Sequence, residues 1–556
     1  MTRSRWLVGS ALAIGAALLT VLASPDVDLW PLAYVALVPL LWAVDSATDR
    51  RGYAPTLRRA LWCGWLAGLA ANLGGFTWIT SLLARHAGLP MPLAVLGLVL
   101  LAAGHGLVFL LFALAVHRVR RISAERLGAP LPMVAVAPTA LVTAELLIPQ
   151  VFPWQFAISQ AWVSPVVQVA DLTGPLGVSA LLAATAGGLY DLLQAGPWRR
   201  RLACAGAAVT LLGLVLCYGW VRIAAIDARR AQAPTARVGL VQANFALDRR
   251  GRSPDLTPTQ ALGELQRVSA ELEARGAELL VWPEAAYPYA LPHDLGSDLA
   301  SDSPYRVRRG FRAPLVLGAI TRTQDPNDYP YNSVFLLDRD DRVRARYDKS
   351  SLVLFSEYIP GVEAIPALRE ILPRGSGHYS RGAGPVMLPV TLSEIGSEAD
   401  VGGAERGYRL AALICYEDTL SHAGRAVAGH HPHLLVNLTN DTWFGDTAEP
   451  WQHLALAVYR AVELRADLVR AVNTGPSGMI DAAGRVRHTT YVIDPATDPR
   501  PAEGVVVEVA LMEAGYGLYA RYGDLFGYAC ALFIGLACLL WPRLRPRAAG
   551  RSARPA

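Results

Sequence analysis

Three side chains on well separated segments could together carry out nucleophilic chemistry. Cys415 follows the apolar run 410–414, and Glu284 follows the apolar run 279–282, so each lies where a predicted strand ends. Strand ends are common positions for reacting groups in α/β sheets. A thiol needs activation because its ordinary pKa is about 8.5. A desolvated carboxylate can supply the base.

Lys349 is the only lysine among the 51 basic residues of the chain. A sequence that uses arginine everywhere else tolerates arginine wherever charge alone is needed. The exception indicates a site that requires a compact ammonium, which a planar guanidinium cannot supply; survival of one lysine by chance is the alternative. An ammonium and backbone N–H groups can stabilise the oxyanion of a tetrahedral intermediate. Together with Cys415 and Glu284, Lys349 completes a set sufficient for acyl transfer through a thioester.

Cys415 is the only cysteine of the long central segment. The other five lie in strongly apolar segments, where cysteine behaves as a small hydrophobe, and they are Cys63, Cys204, Cys217, Cys530 and Cys538. Cys415 therefore has no disulfide partner within its own segment. A lone thiol of this kind is either buried and inert or kept for its reactivity.

Apolar segments long enough, or nearly long enough, to span a bilayer recur along the chain. Seven precede the central segment and one follows it, at about 6–23, 30–44, 60–83, 90–117, 131–149, 172–192, 202–221 and 525–541. Apolar residues make up 53% of the chain and charged residues 17%. This composition excludes a fully soluble or a disordered protein. The first segment is interpreted as a retained helix, because further apolar segments follow it at once.

Arginine is distributed unevenly over the loops between these segments. Counting alternate loops, 18 arginines fall on one side and only Arg85 on the other. Since basic loops stay in the cytoplasm, both termini are predicted to be cytoplasmic. The central segment is then on the extracytoplasmic (periplasmic) side of the cytoplasmic (inner) membrane. Because the basic excess adjoins apolar segments and the middle of the chain is net acidic, a nucleic-acid partner is not expected.

The central segment has the pattern of an α/β domain. Eight apolar, β-branched runs predict strands, at 238–242, 279–282, 315–320, 333–337, 410–414, 434–438, 469–473 and 505–509. Helical patterns occur at 259–275 and 449–465. The expected division is a seven-helix transmembrane domain at 1–222 and an extracytoplasmic catalytic domain at 223–520. A final transmembrane helix and an Arg/Pro-rich cytoplasmic tail follow at 521–556.

The motifs around these residues resemble the nitrilase superfamily and, more narrowly, its membrane-embedded branch, the apolipoprotein N-acyltransferases. The Glu-Lys-Cys triad of the superfamily matches Glu284, Lys349 and Cys415 in order and context. The other matching motifs are Trp282-Pro283-Glu284, Tyr347-Asp348-Lys349, Phe355-Ser356-Glu357-Tyr358-Ile359-Pro360, Ile414-Cys415-Tyr416-Glu417, Asn440-Asp441-Thr442-Trp443-Phe444-Gly445 and Pro450-Trp451-Gln452-His453.

The resemblance implies both a fold and a set of roles. The fold would be a multi-pass α-helical membrane domain plus an exported α/β nitrilase-like αββα sandwich. Glu284 would be the general base, Lys349 the oxyanion stabiliser and Cys415 the nucleophile. Supporting roles would fall to Glu357, a second carboxylate that holds the lysine and the substrate amine, and to the residues that flank the nucleophile, Tyr416 and Glu417.

The implied reaction moves a fatty-acyl chain from a membrane phospholipid to the N-terminal α-amine of a diacylglyceryl-modified lipoprotein. It would follow a ping-pong path through a thioester on Cys415. No metal or other cofactor is expected, because a thioester lies above an amide in free energy. Two alternatives are a membrane-tethered nitrilase-type amidase acting on a small amide or nitrile, and a transporter or scaffold whose outer domain only binds. Seven preceding spans argue against the amidase, since a tether needs only one.

Some other polar and aromatic residues have ordinary explanations. The histidines His430, His431 and His433 lack a cysteine or carboxylate partner at fixed spacing, so they do not predict a metal site. Glu145 is either a headgroup contact or an interfacial residue paired with a neighbouring helix, and the second is favoured. Trp154 fits an aromatic belt at the membrane interface.

Overall fold

The computed structural model describes residues 2–46, 55–85, 87–246, 255–325, 328–354, 356–359, 361, 378–391, 407–492, 500–515 and 517–539. Within these residues an amino-terminal helical region precedes a central α/β region, and a further apolar helix follows it. The motif residues Phe355 and Pro360 and the Arg/Pro-rich tail lie outside the described residues.

The amino-terminal region is built from helices. They are α1 (Thr2–Ala23), α2 (Val38–Val44), α3 (Leu57–Gly75), α4 (Trp78–Arg85), α5 (Met91–His105), α6 (Leu107–Leu127), α7 (Met133–Leu147), α8 (Ser164–Val167), α9 (Ala170–Thr173), α10 (Pro175–Leu193) and α11 (Trp198–Arg230). Short 3₁₀ turns lie at Trp30–Tyr34 and Phe156–Gln160. The last of these helices continues through the expected domain boundary at 222 and ends at Arg230.

Every apolar segment predicted before the central region coincides with a helix or a pair of helices. In the described part of the chain, four helical segments are long and apolar enough to cross a membrane. They are Arg5–Ala23, Met91–Leu127, Pro175–Leu193 and Trp198–Arg230. The pair Leu57–Gly75 and Trp78–Arg85, bent by 57°, makes a fifth if it counts as one span. Shorter apolar helices are Trp30–Val44, Met133–Leu147 and Leu525–Cys538. The predicted class, a multi-pass helical membrane region, is confirmed.

Glycine allows α3 to approach the junction of α5 and α6 very closely. A Cβ atom on Gly68 would lie 2.5 Å from the carbonyl oxygen of Gly106 and 2.6 Å from its Cα. Small residues permit such backbone contacts between membrane helices. This contact fixes the position of α3 relative to α5 and α6. Because α3 ends at Gly75 and α4 begins at Trp78, the contact also helps to position Trp78.

The central region contains two β-sheets. Their strands are β1 (Thr235–Gln242), β2 (Leu279–Val281), β3 (Leu291–Pro292), β4 (Leu315–Arg322), β5 (Tyr331–Leu337), β6 (Val343–Asp348), β7 (Met387–Thr391), β8 (Gly407–Ile414), β9 (Leu434–Thr439), β10 (Leu468–Val472), β11 (Gly475–Ile480), β12 (Val486–Val492) and β13 (Glu503–Ala510). The first sheet has the order β13-β1-β2-β4-β5-β6 with β3 beside β4, and the second has the order β12-β11-β10-β9-β8-β7.

Parallel strands occupy the middle of each sheet. In the first sheet β1, β2 and β4 are parallel, and in the second β8, β9 and β10 are parallel. Parallel neighbours place their carboxyl ends at one edge. The segments that follow β2, β8 and β9 therefore start at the edges of the sheets where Glu284 and Cys415 lie.

The two sheets pack face to face between layers of helices. Apolar side chains of both sheets, such as Val281 and Ile414, share one buried cluster. Helix α12 (Pro258–Ala274) covers the outer face of the first sheet. Helices α13 (Ser421–Ala428) and α14 (Glu449–Leu464) cover the second. The predicted αββα sandwich is confirmed, and α15 (Leu518–Tyr522) and α16 (Leu525–Leu539) follow it.

All eight predicted strands and both predicted helices of this region are present, with ends that differ by a few residues. The sequence patterns missed β3, β6, β7, β11 and β12. Strand β11 begins with Gly475-Pro476, a pair typical of a turn, and it is a strand because it pairs with β10 and β12.

Candidate active site

Cys415 occupies a strained turn at the end of β8. It begins a 3₁₀ turn, Cys415–Thr419, with a φ of +50°. A residue with a side chain rarely adopts this left-handed conformation, and strain of this kind is often found at reacting groups. The buried Asn437 holds the turn, because its Nδ2 donates to the carbonyl oxygens of Leu413 at 3.3 Å and of Cys415 at 3.2 Å.

Glu284 lies just beyond β2, in contact with two donors. Its Oε1 accepts hydrogen bonds from Asn332 Nδ2 at 2.7 Å and from Lys349 Nζ at 3.2 Å. Burial raises the pKa of Glu284, and the charge of Lys349 partly opposes that rise. The turn rests on the next strand at Gly318, where a Cβ atom would lie 2.4 Å from the carbonyl oxygen of Pro283. A side chain at position 318 would therefore displace the carboxyl group.

Lys349 follows β6 and is only 1% exposed. Its Nζ donates to Glu357 Oε1 at 2.7 Å as well as to Glu284. The second oxygen of Glu357 accepts the N–H of Val353 at 2.9 Å. Burial by itself would lower the pKa of Lys349, but Glu284 and Glu357 outweigh it and raise the pKa well above its ordinary value. Lys349 is thus a buried ammonium between two carboxyl groups.

Glu417 joins the segment that follows Lys349 to the turn that begins at Cys415. Its buried Oε1 accepts from the hydroxyl of Tyr347 at 2.7 Å, from the backbone N–H groups of Ser350 and Ser351 at 2.9 Å each, and from the Ser350 hydroxyl at 3.0 Å. Its Oε2 accepts the N–H of Ile414 at 2.8 Å. One carboxylate therefore fixes the spacing between the residue after Lys349 and the residue before Cys415.

Glu284, Lys349, Glu357, Cys415 and Tyr416 all line one pocket of about 510 Å³. The structure thus brings together the residues that the sequence singled out, with Glu417 buried just behind the pocket wall. Burial raises the pKa of the Cys415 thiol well above its ordinary value, and the Glu284 charge adds to this effect. A thiol in this state keeps its proton until a base removes it, and Glu284 lies in the same pocket.

Side chains of the amino-terminal helical region also line this pocket. The lining side chains from that region are Phe76, Trp78, Leu82, Phe152 and Pro153. Trp78 packs edge-on against Phe444, with ring centroids 5.2 Å apart, and its indole N–H donates to Gln452 Oε1 at 3.1 Å. The cavity lined by Cys415 is therefore also lined by apolar and aromatic side chains of the amino-terminal helical region.

A buried cluster of charged groups supports the pocket from behind. His453 lies between carboxylates, with Nε2 2.7 Å from Asp418 Oδ1 and Nδ1 3.2 Å from Asp441 Oδ1. Arg470 contacts Asp418 as well. Asp441, Glu449 and His453 are close enough to ligate a metal ion, but His453 and Arg470 already face these carboxylates as cations. No such group in the described part of the chain includes the His430–His433 segment.

Burial opposes a charge on His453, but Asp418 and Asp441 outweigh burial and raise its pKa to about 10. The ring is therefore an imidazolium at neutral pH. Burial, reinforced by Asp441, also raises the pKa of Glu449 well above its ordinary value. The cluster thus balances the charges of two aspartates against one imidazolium and one guanidinium.

Of two sequence interpretations near the pocket, one is wrong and one is confirmed. Trp154 is 8% exposed and packs edge-on against Phe76, with ring centroids 5.3 Å apart, so it is a core residue rather than part of an interfacial belt. The favoured interpretation of Glu145, a pairing with a neighbouring helix, agrees with the structure, because its carboxyl group is hydrogen-bonded to the side chain of Ser179 in α10. Glu145 Oε1 accepts the backbone N–H of Phe156 at 2.7 Å, because the loop after α7 folds back onto it.

Sequence reasoning missed Asn332 and Asn437. Each is the only amide side chain in a largely apolar strand, at Tyr331–Leu337 and Leu434–Thr439. A buried polar side chain in a strand needs a hydrogen-bond partner. An asparagine within an apolar run could therefore have indicated a residue that supports the site. The partners became evident only in the folded chain. Asn332 donates to Glu284, and Asn437 donates to the carbonyl oxygen of Cys415.

The sandwich, with a pocket at its strand ends, defines a domain of the nitrilase fold class. The carbon-nitrogen hydrolase family model matches residues 237–497. The model of the apolipoprotein N-acyltransferase N-terminal domain matches residues 16–188.

Similar proteins extend over nearly the whole chain. An apolipoprotein N-acyltransferase of Geobacter metallireducens is 30% identical over 536 residues, which cover 93% of this chain and 92% of that protein. One of Bradyrhizobium diazoefficiens is 29% identical over 96% of this chain and 94% of that protein. The chain belongs to the apolipoprotein N-acyltransferase family. Among solved structures, an amidase variant from Nesterenkonia sp. AN1 is 20% identical, with a TM-score of 0.35, over 53% of this chain and 99% of that chain.

Proposed function

We propose that this protein transfers a fatty-acyl chain from a membrane phospholipid to the N-terminal α-amine of a diacylglyceryl-cysteine lipoprotein. The observation that carries the proposal is the pocket itself. It holds a thiol, a carboxyl group and an ammonium, and it is also lined by aromatic side chains of the amino-terminal helical region. Such a pocket suits a donor with a reactive ester and a long apolar tail. The names of the similar proteins agree with this reaction.

In the first half-reaction, Glu284 accepts the thiol proton of Cys415, and the sulfur attacks the ester carbonyl carbon of the phospholipid. Burial raises the pKa of Glu284 above that of an ordinary carboxyl group, which makes it a stronger general base. Lys349 and the backbone N–H of Tyr416 donate to the oxyanion. The intermediate collapses, the lysophospholipid oxygen leaves with the proton from Glu284, and a thioester remains on Cys415.

In the second half-reaction, the lipoprotein amine attacks the thioester carbonyl and gives a proton to Glu284. Collapse of this intermediate forms the amide and releases the sulfur, which regains a proton from Glu284. Glu357 orients Lys349 and faces the pocket in which the amine is held. The apolar wall restricts water near the thioester, so that the amine is the acceptor.

The same proposal includes the domain arrangement and its orientation. The transmembrane domain comprises residues 1–222, the catalytic domain 223–520, and the last span and cytoplasmic tail 521–556. The excess of arginine on one set of loops supports a cytoplasmic location for both termini and an extracytoplasmic catalytic domain. Reporter fusions that become active only outside the membrane test this: activity at position 300 and none at position 50 is expected, and the reverse would reject the orientation.

The decisive experiment looks for the acyl-enzyme. Purified full-length protein is incubated with acyl-labelled phospholipid in the absence of acceptor, and the peptide that contains Cys415 is analysed by mass spectrometry. A thioester-linked acyl group, removed by hydroxylamine and absent in Cys415→Ala, is expected. Cys63→Ala, which removes a cysteine buried in a membrane helix, is the matched control and should acylate normally. An active enzyme without the adduct would rule out the ping-pong path.

The amidase alternative is tested by the acceptor. The protein is supplied either with a diacylglyceryl lipopeptide and phospholipid or with small amides and nitriles. Amide-linked acyl transfer to the lipopeptide is expected, without ammonia release from the small substrates. Turnover of small amides alone would favour the hydrolase and contradict the proposal.

A further inference from the structure

A second, much smaller cavity lies inside the membrane region. Its volume is about 20 Å³, and a water molecule needs at least roughly 10–15 Å³. The polar residues around it come from four helices and one loop, and they include Thr20, Asn72, His105, Glu145, Gln150 and Trp154. Polar groups are costly inside a membrane protein unless they are hydrogen-bonded, so this cluster requires an explanation.

Two of these residues present hydrogen-bond donors. The backbone N–H of Val151 donates to His105 Nε2 at 3.0 Å. Because an amide N–H can only donate, Nε2 carries no proton, and the neutral ring carries its proton on Nδ1. His105 Nδ1 and the indole Nε1 of Trp154 are buried and have no hydrogen-bond partner among the described residues. The cavity is therefore bordered by two N–H groups without an acceptor.

Two others present acceptors. The Nδ2 of Asn72 donates to the carbonyl oxygen of Gly68 at 2.8 Å, which identifies Oδ1 as the remaining acceptor. Glu145 uses Oε1 for the N–H of Phe156. Asn72 Oδ1 and Glu145 Oε2 are buried and have no hydrogen-bond partner among the described residues by distance and angle; the Ser179 side chain lies near the same carboxyl group. The set is thus two donors and two acceptors around a space for one small molecule.

We propose that this cavity binds one structural water molecule. The water oxygen accepts from His105 and Trp154, and its two hydrogens go to Asn72 and Glu145. This is the full hydrogen-bonding capacity of water, and buried waters in proteins typically make about three such bonds. A metal cation is a poorer fit, because two of the four facing groups are N–H donors that cannot ligate it.

The site bears on the active-site pocket through two contacts. The N–H of Val151 donates to His105, and the carbonyl oxygen of Val151 accepts a hydrogen bond from the Tyr416 hydroxyl. Tyr416 is the residue after Cys415. Phe76 lines the active-site pocket and packs edge-on against both His105 and Trp154, at 5.3 Å in each case. His105 is therefore a positioning residue for the pocket wall, and this second half of the inference rests on the proposed function.

The water itself is tested by a structure of the full-length protein in lipid nanodiscs, at a resolution that shows ordered waters. Density for one oxygen within about 3.2 Å of His105 Nδ1, Trp154 Nε1 and Asn72 Oδ1 is expected. An empty cavity, or a density with the short ligand distances of a metal ion, would overturn the assignment. The result does not depend on catalysis, so it stands apart from the proposed function.

The positioning role is tested with His105→Leu and His105→Gln. Leucine removes both polar atoms, whereas glutamine can accept from Val151 and donate to the water. We expect His105→Leu to raise the KM for the phospholipid in Cys415 acylation about tenfold, with kcat changed much less. His105→Gln should stay near the wild type.

Trp154→Phe, which removes one donor and keeps the ring shape, provides a second variant if His105→Leu folds poorly. A smaller increase of the same KM is expected from it. An unchanged donor KM in the folded fraction of both variants would contradict the positioning role. Failure of the wild-type protein to acylate Cys415 would instead reject the proposed function.

Discussion

At the scale of the residue, the site depends on one cation held between two carboxyl groups. Lys349 donates to Glu284 and Glu357 from a position that is 1% exposed. A buried charge is tolerated only when it is paired and hydrogen-bonded. The same ammonium partly offsets the pKa rise of both Glu284 and Cys415, so its position influences the protonation of both groups.

Lys349→Arg keeps the charge but changes the shape of the group. The wider guanidinium cannot occupy the same space between Glu284 and Glu357. We expect the rate of Cys415 acylation to fall at least about 100-fold, as for loss of an oxyanion donor. The measurement is single-turnover acylation from labelled phospholipid. Arg344→Lys, at an exposed position in the preceding strand, is the control, and equal rates for both variants would show that charge alone is needed.

At the scale of the element, buried charges join helix α14 to the turns that follow β8 and β9. His453 on this helix contacts Asp418, in the turn after Cys415, and Asp441, in the turn after β9. Glu417, in the first of these turns, accepts the N–H groups that follow Lys349. The strained turn is therefore held from both sides by charged hydrogen bonds, which are stronger than neutral ones.

The charge on His453 predicts a pH dependence of stability. Its pKa is about 10 in the folded protein, against about 6.5 in the unfolded chain. Because the folded value is the higher one, this stabilisation is complete below about pH 6.5 and is lost as the pH rises through about 10. The unfolding temperature of the wild type should fall more steeply over this window than that of His453→Gln. Parallel slopes for the two proteins would exclude a charged ring.

The contact between α3 and the α5–α6 junction gives a second prediction at this scale. Gly68→Ala places a Cβ atom 2.5 Å from the Gly106 carbonyl oxygen, so the backbones must separate. A loss of about 1–3 kcal/mol in unfolding free energy is expected, as for overpacked cores. Gly104→Ala is the matched control, because nothing lies within 4 Å of its added Cβ atom. Thermal unfolding in detergent compares the two, and equal values would mean that the close approach is not required.

At the scale of the whole molecule, buried ion pairs join the helical region to the sandwich. Arg465, at the end of α14, contacts Asp171 in α9 at 2.7 Å, and both side chains are buried. Arg230, at the end of α11, contacts Asp467 at 2.8 Å. The pocket wall itself combines side chains from both regions, so its shape depends on how firmly they are joined.

Asp171→Asn should weaken this junction. It leaves the buried Arg465 without its carboxylate, and loss of one partner of a buried pair costs about 3–5 kcal/mol. We expect a lower unfolding temperature together with slower acylation of Cys415. Asp302→Asn, at an exposed position of the sandwich, serves as the control. If both variants unfold at the same temperature, the pair does not hold the two regions together.

The local sequence determined much of the fold and singled out the residues of the candidate site. Hydrophobicity and strand patterns are properties of short windows, so they located the membrane helices and the strands before Glu284 and Cys415. The single lysine drew attention to Lys349. These inferences needed only the residue types and their immediate neighbours.

The tertiary structure alone decided what those groups contact. Asn332 and Asn437 find their partners across the sheets, and β11 is a strand through pairing that its Gly475-Pro476 start does not predict. Trp154 became a core residue because the loop after α7 folds back between the helices and the sandwich. Such contacts join residues that are distant in the chain, and their energy depends on geometry that no local window contains.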